Sequence, residues 1–420
     1  MEITEELMYY VWNARQFDHN RLKTLDGEEF EIVSYGNRNG ASGPDFINAA
    51  ISMAGLKWYG NIEMHVRSSD WKKHGHQNDE AYDNVILHVV WTHDTDPTEG
   101  KVPIIELFPL VKPGILHQYQ KLKASSTWLP CQSLLDESCF SKMLLWRDAL
   151  ATQRLERKMT TLAGQFLSDR SPDWEGLVYR LMVIYLCGKE NRACGEMLSQ
   201  KLSLLILDRN NEDPLNILAL FLGTAGCIED VSDVVFQGQL HHRFRHLANK
   251  YELVPIKNAS WRRFGMRASG MPVRRLAQAA AVFCARSRYF DELIDCKDKQ
   301  ALLYLFPHSL PEDPSWLRLL PSAELLSRQV KEMLLLNAFL PIWFYYHHII
   351  HKNERSAAIF DMMETLPAEV NSYCGKFKKL GFQMQTALDS QAHLELWGEY
   401  CKVRRCAACR VGQQIFSRTQ

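Results

Sequence analysis

A chain of 420 residues is longer than one hydrophobic core usually serves, so two or three domains are expected. Hydrophobic residues at 46% and charged residues at 23%, with no excess of Gly or Pro, exclude a disordered chain. The formal net charge of zero argues against a polyanion binder on bulk charge, although a balanced total can conceal local asymmetry.

The first ten residues carry Glu2, Glu5 and Glu6 and lack the basic, apolar and small-residue regions of a signal peptide, which predicts a cytoplasmic protein. Its eleven cysteines are then expected to stay reduced, for packing, metal binding or catalysis. Thr4 before Glu5 and Glu6 predicts a capped helix running to about Phe17. Strand-like segments follow at Phe30 to Tyr35, Phe46 to Met53, Leu56 to Val66, Val85 to Trp91 and Ile104 to Leu107, each bounded by Gly, Asn, Asp or Pro. From about Ile115 the spacing becomes helical, and prolines including Pro214, Pro272, Pro311, Pro314, Pro321 and Pro341 divide the remainder into short helices. The longest apolar run, Met333 to Ile350, is interrupted by Asn337 and Pro341 and predicts a buried, kinked helix, with no membrane association.

The densest chemistry lies between Gly43 and Trp91. On a strand, Glu63 and His65 share one face while Ile62, Met64 and Val66 enter the core. Asp45 follows a Gly43-Pro44 turn, and a hairpin through Ala54-Gly55 would return the chain so that Asp45 lies near Glu63. Two carboxylates make a hard-oxygen site of the kind Mg²⁺ or Mn²⁺ prefers, and such an ion can steady a phosphate transition state. The competing reading makes Asp45 a turn cap and Glu63 and His65 an exposed cross-strand pair. His74, His76, Asp79 and His88 offer a second set, suited to a zinc hydrolase, with His74 and His76 reaching one ion only from an extended segment. His88, inside an apolar strand, fits a hydrogen-bonded core histidine better than a direct ligand.

Pro44-Asp45 and Glu63-Met64-His65 resemble the active site of the PD-(D/E)XK nuclease superfamily, with His65 standing where that pattern has lysine. The resemblance implies a restriction-endonuclease-like α/β domain, with Asp45 and Glu63 on Mg²⁺ or Mn²⁺ and His65 orienting or deprotonating water. Asp70, His74 or His76 would assist the leaving group or a second ion. Nearly end to end, the chain also resembles a bacterial family of unknown function, DUF2851. Its marks here include Gly43-Pro44-Asp45-Phe46, Gly60 to His65, Ser69-Asp70-Trp71, Tyr82 to Val90, and Cys401, Cys406, Cys409 and Gly412.

Two further features lie downstream. Cys401, Cys406 and Cys409, spaced Cys-X4-Cys-X2-Cys, fit thiolates on Zn²⁺ or an iron–sulfur cluster, with Cys374 or His393 as the nearest fourth ligand; the alternative is three small buried hydrophobes. Between His241 and Arg288, eleven basic residues face Glu252 alone, with Phe244, Tyr251, Trp261 and Phe264 among them. Arg243, Arg245, Arg262, Arg263, Arg267, Arg274 and Arg275 therefore form a candidate nucleic-acid surface, unless they answer acidic residues such as Glu229, Asp230 and Glu292.

The expected organisation is a nuclease-like α/β domain over residues 1–125, a mostly helical domain over 126–400 and a Cys-rich segment over 401–420. The expected function is metal-dependent cleavage of nucleic acid, DNA or RNA. The alternatives are a degenerate nuclease fold that only binds nucleic acid or protein, and a zinc hydrolase using the set from His74 to His88.

Overall fold

The computed structural model describes residues 3–95, 102–166, 172–257, 260–307, 325–352 and 357–418. The chain divides into two compact units. The first comprises Met1–Arg147, Gly375–Phe382 and His393–Gln420, and the second Asp148–Cys374 and Gln383–Ala392. The division thus falls at Arg147, past the expected residue 125, and the Cys-rich tail belongs to the N-terminal unit.

In the first unit, α1 (Glu5–Asn13) places Glu5 and Glu6 at its positive end and buries Leu7, Met8, Tyr10, Val11 and Trp12. Thr4 has the extended backbone of a cap, but its hydroxyl lies 3.3 Å from the Tyr119 hydroxyl and caps nothing. The helix stops short of Phe17 because Arg15 turns left-handed, at φ 55°, and the Gln16 N–H donates to the Val11 carbonyl. Five strands follow, β1 (Phe30–Arg38), β2 (Phe46–Met53), β3 (Leu56–Arg67), β4 (Val85–Thr92) and β5 (Ile104–Glu106), and they pair in chain order.

The first three strands are antiparallel and the last two join in parallel, so the sheet changes sense at β3. Ala54 and Gly55, at φ 50° and 77°, form the two-residue turn that fixes the β2–β3 register, Met53 opposite Leu56. A parallel partner for β3 requires a crossover. Residues 68–84 supply it as the short helix α2 (Asp70–Lys73) and two 3₁₀ turns, His76–Asn78 and Glu80–Tyr82. Val85 to Trp91 are all buried, as expected of a strand paired in parallel on both sides. Two helices, α3 (Pro113–Ala124) and α4 (Glu137–Phe166), come after the sheet.

The second unit is helical. Its Arg328–Ile350 helix is long and apolar enough to cross a membrane, but 67% of its apolar stretch is buried within the protein. The break expected at Pro341 is accommodated by π-helical stretches on either side, Leu335–Phe339 and Tyr345–Ile350, without ending the helix. Breaks expected at Pro311, Pro314 and Pro321 fall outside the described residues.

Candidate metal centre

The β2–β3 hairpin joins Asp45 and Glu63 in a reciprocal lock. The Asp45 N–H donates to Glu63 Oε2 at 3.0 Å, and the Met64 N–H donates to Asp45 Oδ2 at 3.0 Å. Each carboxylate keeps one other oxygen. Asp45 Oδ1 pairs with Arg38 Nη1 at 2.8 Å, while Glu63 Oε1 faces His65 Nε2 at 3.6 Å and His76 Nε2 at 3.4 Å. Both members of the pair lie off the surface, so the exposed cross-strand reading does not hold: Glu63 is 6% exposed and His65 1%.

The crossover delivers the remaining imidazoles. Asp94 accepts from the Ser69 N–H and from the Ser68 and Ser69 hydroxyls, which pins the start of α2 beneath the end of β4. His74 caps the end of α2, Gly75 turns left-handed at φ 79°, and His76 opens the next turn. That glycine, and no extended segment, swings the two rings onto one site. His65 Nε2 lies 3.2 Å from His74 Nδ1, and one nitrogen from each of His65, His74 and His76 falls within 4.8 Å of the others. On the far side, His65 Nδ1 lies 2.9 Å from His88 Nε2, which puts His88 behind the site. Trp71 and Tyr82 wall it in: the Tyr82 ring stacks on His76 at 3.8 Å between centroids, and Trp71 meets the His88 ring at 5.0 Å.

Burial, reinforced by the neighbouring His76 and His74, holds the His65 imidazolium down to about 4, and burial takes His88 to about 3 and lowers His76. These rings are neutral near pH 7, the form that binds metals. Burial and then the Asp45 charge push Glu63 up to about 8, so a cation in the site would be needed to keep it ionised at neutral pH. His76 Nε2 is enclosed yet makes no hydrogen bond. Nitrogens on a tetrahedral zinc ion stand about 3.4 Å apart, near the His65–His74 spacing. The donor set of three imidazoles and one carboxylate oxygen therefore fits a borderline transition metal better than the hard-oxygen shell Mg²⁺ demands.

Not every expected residue joins this centre. Asp70 accepts from the Arg67 N–H at 3.3 Å and sits 3.6 Å from Lys73, and Asp79 caps the Glu80–Tyr82 turn. Two contributors carried no sequence signal, Arg38 and Tyr9, whose ring lies 3.7 Å beneath the Arg38 guanidinium, and Tyr82 was marked only within the family resemblance, with no role at the site. In the tail, Cys401, Cys406 and Cys409 are buried together with Cys131, which the sequence did not single out. Of the proposed fourth ligands, His393 packs on the Phe377 and Phe382 rings, and the Cys374 thiol neighbours Glu369 and Asn371.

The arginines of the second unit are mostly paired within it. Arg243 binds Asp213 and Asn216, Arg262 binds Glu190 at 3.1 Å, and Arg263 chelates Asp230 and donates to the Trp261 carbonyl. Arg275 donates to Gln278 Oε1 at 3.1 Å, and Arg274 is half-buried. Arg245 and Arg267 stand exposed.

A mixed five-stranded sheet bearing clustered carboxylates and imidazoles, followed by a helical unit, defines an α/β-plus-helical protein with a candidate metal centre. The chain belongs to the family described as protein of unknown function (DUF2851), whose profile matches residues 5–372. No curated protein and no solved structure matches it.

Proposed function

We propose that the protein is a metal-dependent phosphodiesterase acting on nucleic acid, with Zn²⁺ or Mn²⁺ held by His65, His74, His76 and Glu63 Oε1. The observation that carries this reading is the convergence of three imidazole nitrogens within 4.8 Å beside a buried carboxylate. An ion bound there supplies Lewis acidity toward a phosphodiester oxygen. Asp45 holds Glu63 in place through its N–H, and Arg38 fixes the Asp45 carboxylate. Trp71 and Tyr82 pack on the His88 and His76 rings while His74 stays open to solvent, and His88 fixes the His65 ring. The substrate class rests on the likeness of Pro44-Asp45 and Glu63-Met64-His65 to the PD-(D/E)XK pattern, together with one helix followed by an antiparallel meander and parallel strands. Where that pattern has a lysine, this chain has an imidazole with both nitrogens facing other histidines. That difference moves the preferred ion from Mg²⁺ toward Zn²⁺ or Mn²⁺.

The test is metal analysis of the full chain together with cleavage of single-stranded, duplex and branched nucleic acid under Zn²⁺, Mn²⁺ and Mg²⁺. His74→Ala is expected to remove the bound ion and lower cleavage at least 100-fold, the order expected when a metal's Lewis acidity is lost. Full activity of His74→Ala under Mg²⁺ would transfer the chemistry to Asp45 and Glu63 alone. Metal uptake without cleavage of any substrate would leave a binding module.

A further inference from the structure

We propose that Cys131, Cys401, Cys406 and Cys409 bind an iron–sulfur cluster in the N-terminal unit. Three of these residues lie on one compact turn. Cys401 ends a π-helical stretch, Arg404 turns left-handed at φ 60°, and Cys409 precedes the helix Arg410–Phe416, its N–H donating to the Cys406 carbonyl at 3.3 Å. Gly412 presses that helix onto the turn, since a Cβ there would come within 2.1 Å of the Cys406 carbonyl oxygen. Cys131 arrives from a segment far earlier in the sequence, just before the 3₁₀ turn Gln132–Leu134. The Arg404 guanidinium ties the two segments together through the Thr127 carbonyl.

The four thiols are each 7–8% exposed, and each lies close enough to the other three for their ionised forms to repel. Burial pushes Cys406 up to about 11 and Cys409 to about 12, and raises Cys131 and Cys401 as well. Four dry thiols facing one another become thiolates only around a cationic centre. The surroundings favour that state: the Val411 and Gly412 N–H groups point at Cys409, and the positive charges of Arg404 and Lys123 stabilise negative charge at Cys406. Cys139 lies beside Cys131 and Cys409, but Arg418 Nη2 donates to its sulfur at 2.9 Å.

Spacing selects a cluster over a single ion. Thiolates on one tetrahedral zinc ion stand about 3.8 Å apart. Among the described residues, the three metal-capable atoms that lie within 4.8 Å of one another are those of His65, His74 and His76, so no three of these thiols are that close. A bridged cluster divides its ligands among several irons, so its thiolates need not lie that close, and a Cys-X4-Cys-X2-Cys run completed by one distant cysteine is a known cluster-binding spacing.

Anaerobically purified full-length protein is expected to be coloured and to contain about two to four irons per chain with matching acid-labile sulfide. Cys131→Ser should lose most of that iron, and Cys139→Ser should keep it. Iron content in Cys131→Ser equal to wild type would overturn the assignment of Cys131. One zinc per chain without iron, or neither metal, in the wild-type protein would overturn the cluster itself, whether or not the Cys131 variant folds. Iron content is read without any hydrolysis assay, and His74→Ala should leave it unchanged, so this proposal and the proposed activity fail separately.

Discussion

His65 shows how much of a site can rest on one ring. If its Nε2 takes an ion, its Nδ1 must carry the proton and donate to His88 Nε2, 2.9 Å away. His88→Leu would leave a buried N–H unpaired and the ring free to rotate. The expected result, in competition against a chelator, is a 10- to 100-fold loss of metal affinity with the fold retained. Unchanged affinity would remove His88 from the site. A second, half-buried titratable group lies in the helical unit, where Lys158 Nζ donates to Asn337 Oδ1 at 3.2 Å. Burial, and then the Arg154 charge, depress this lysine from 10.5 to about 7. Between those values the unfolded chain binds the proton more readily than the folded one, so stability should rise with pH across that window. Compared with Lys158→Met, the wild-type protein should gain at most about 1.4 kcal/mol per pH unit from pH 7 to pH 10, measured by urea unfolding. A constant difference would mean that this lysine titrates as an ordinary surface group.

At the level of elements, the centre depends on β3 pairing one way with β2 and the other way with β4. Gly60 marks the change. A Cβ there would lie 2.4 Å from the Asn84 carbonyl and 2.5 Å from Ile86 Cγ2, where the Asn61 N–H takes up that same carbonyl. Gly60→Ala should therefore cost about 1–3 kcal/mol in urea unfolding. Gly238, exposed in the Val234–Tyr251 helix with open space around it, should respond oppositely and gain up to about 1 kcal/mol on the same change. Equal effects at the two positions would show that the close approach at Gly60 is not rigid. Strands of this kind are legible in sequence: β2 begins and ends as its residues predict, and the Ala54-Gly55 turn brings Asp45 to Glu63 through a purely local signal. The histidine cluster was legible only as a set of residues. An extended His74-X-His76 pair was the periodicity's answer, and a left-handed Gly75 replaced it. Tyr9 and Cys131 reach their partners across the fold, while Arg38 and Tyr82 reach theirs through the geometry of the β1–β2 connection and of the crossover, which neither spacing nor composition records.

The whole chain carries a further constraint, because the unit holding the sheet is not continuous in sequence. Residues 375–382 and 393–420 return to complete it. Trp128 stacks on Trp397 at 4.6 Å, Trp146 meets Tyr400 at 4.9 Å, Phe140 meets Phe382 at 5.0 Å, and the Tyr10 and Phe416 rings lie 5.3 Å apart. Arg405 also pairs with Glu6 in α1. Truncation of one buried aromatic costs about 3–5 kcal/mol, while a domain's net stability is about 5–15 kcal/mol. A fragment of residues 1–147, which keeps all five strands and every histidine of the centre, should therefore not fold even though its sequence looks like a complete α/β domain. It is expected to bind a hydrophobic dye and to lose near-ultraviolet dichroism while retaining secondary structure. It should also fail to retain the metal held by the full chain, because His74 and His76 converge only when the crossover is fixed. A cooperative unfolding transition in the isolated fragment, with metal bound, would show instead that the returning segments only cover a core that is already complete.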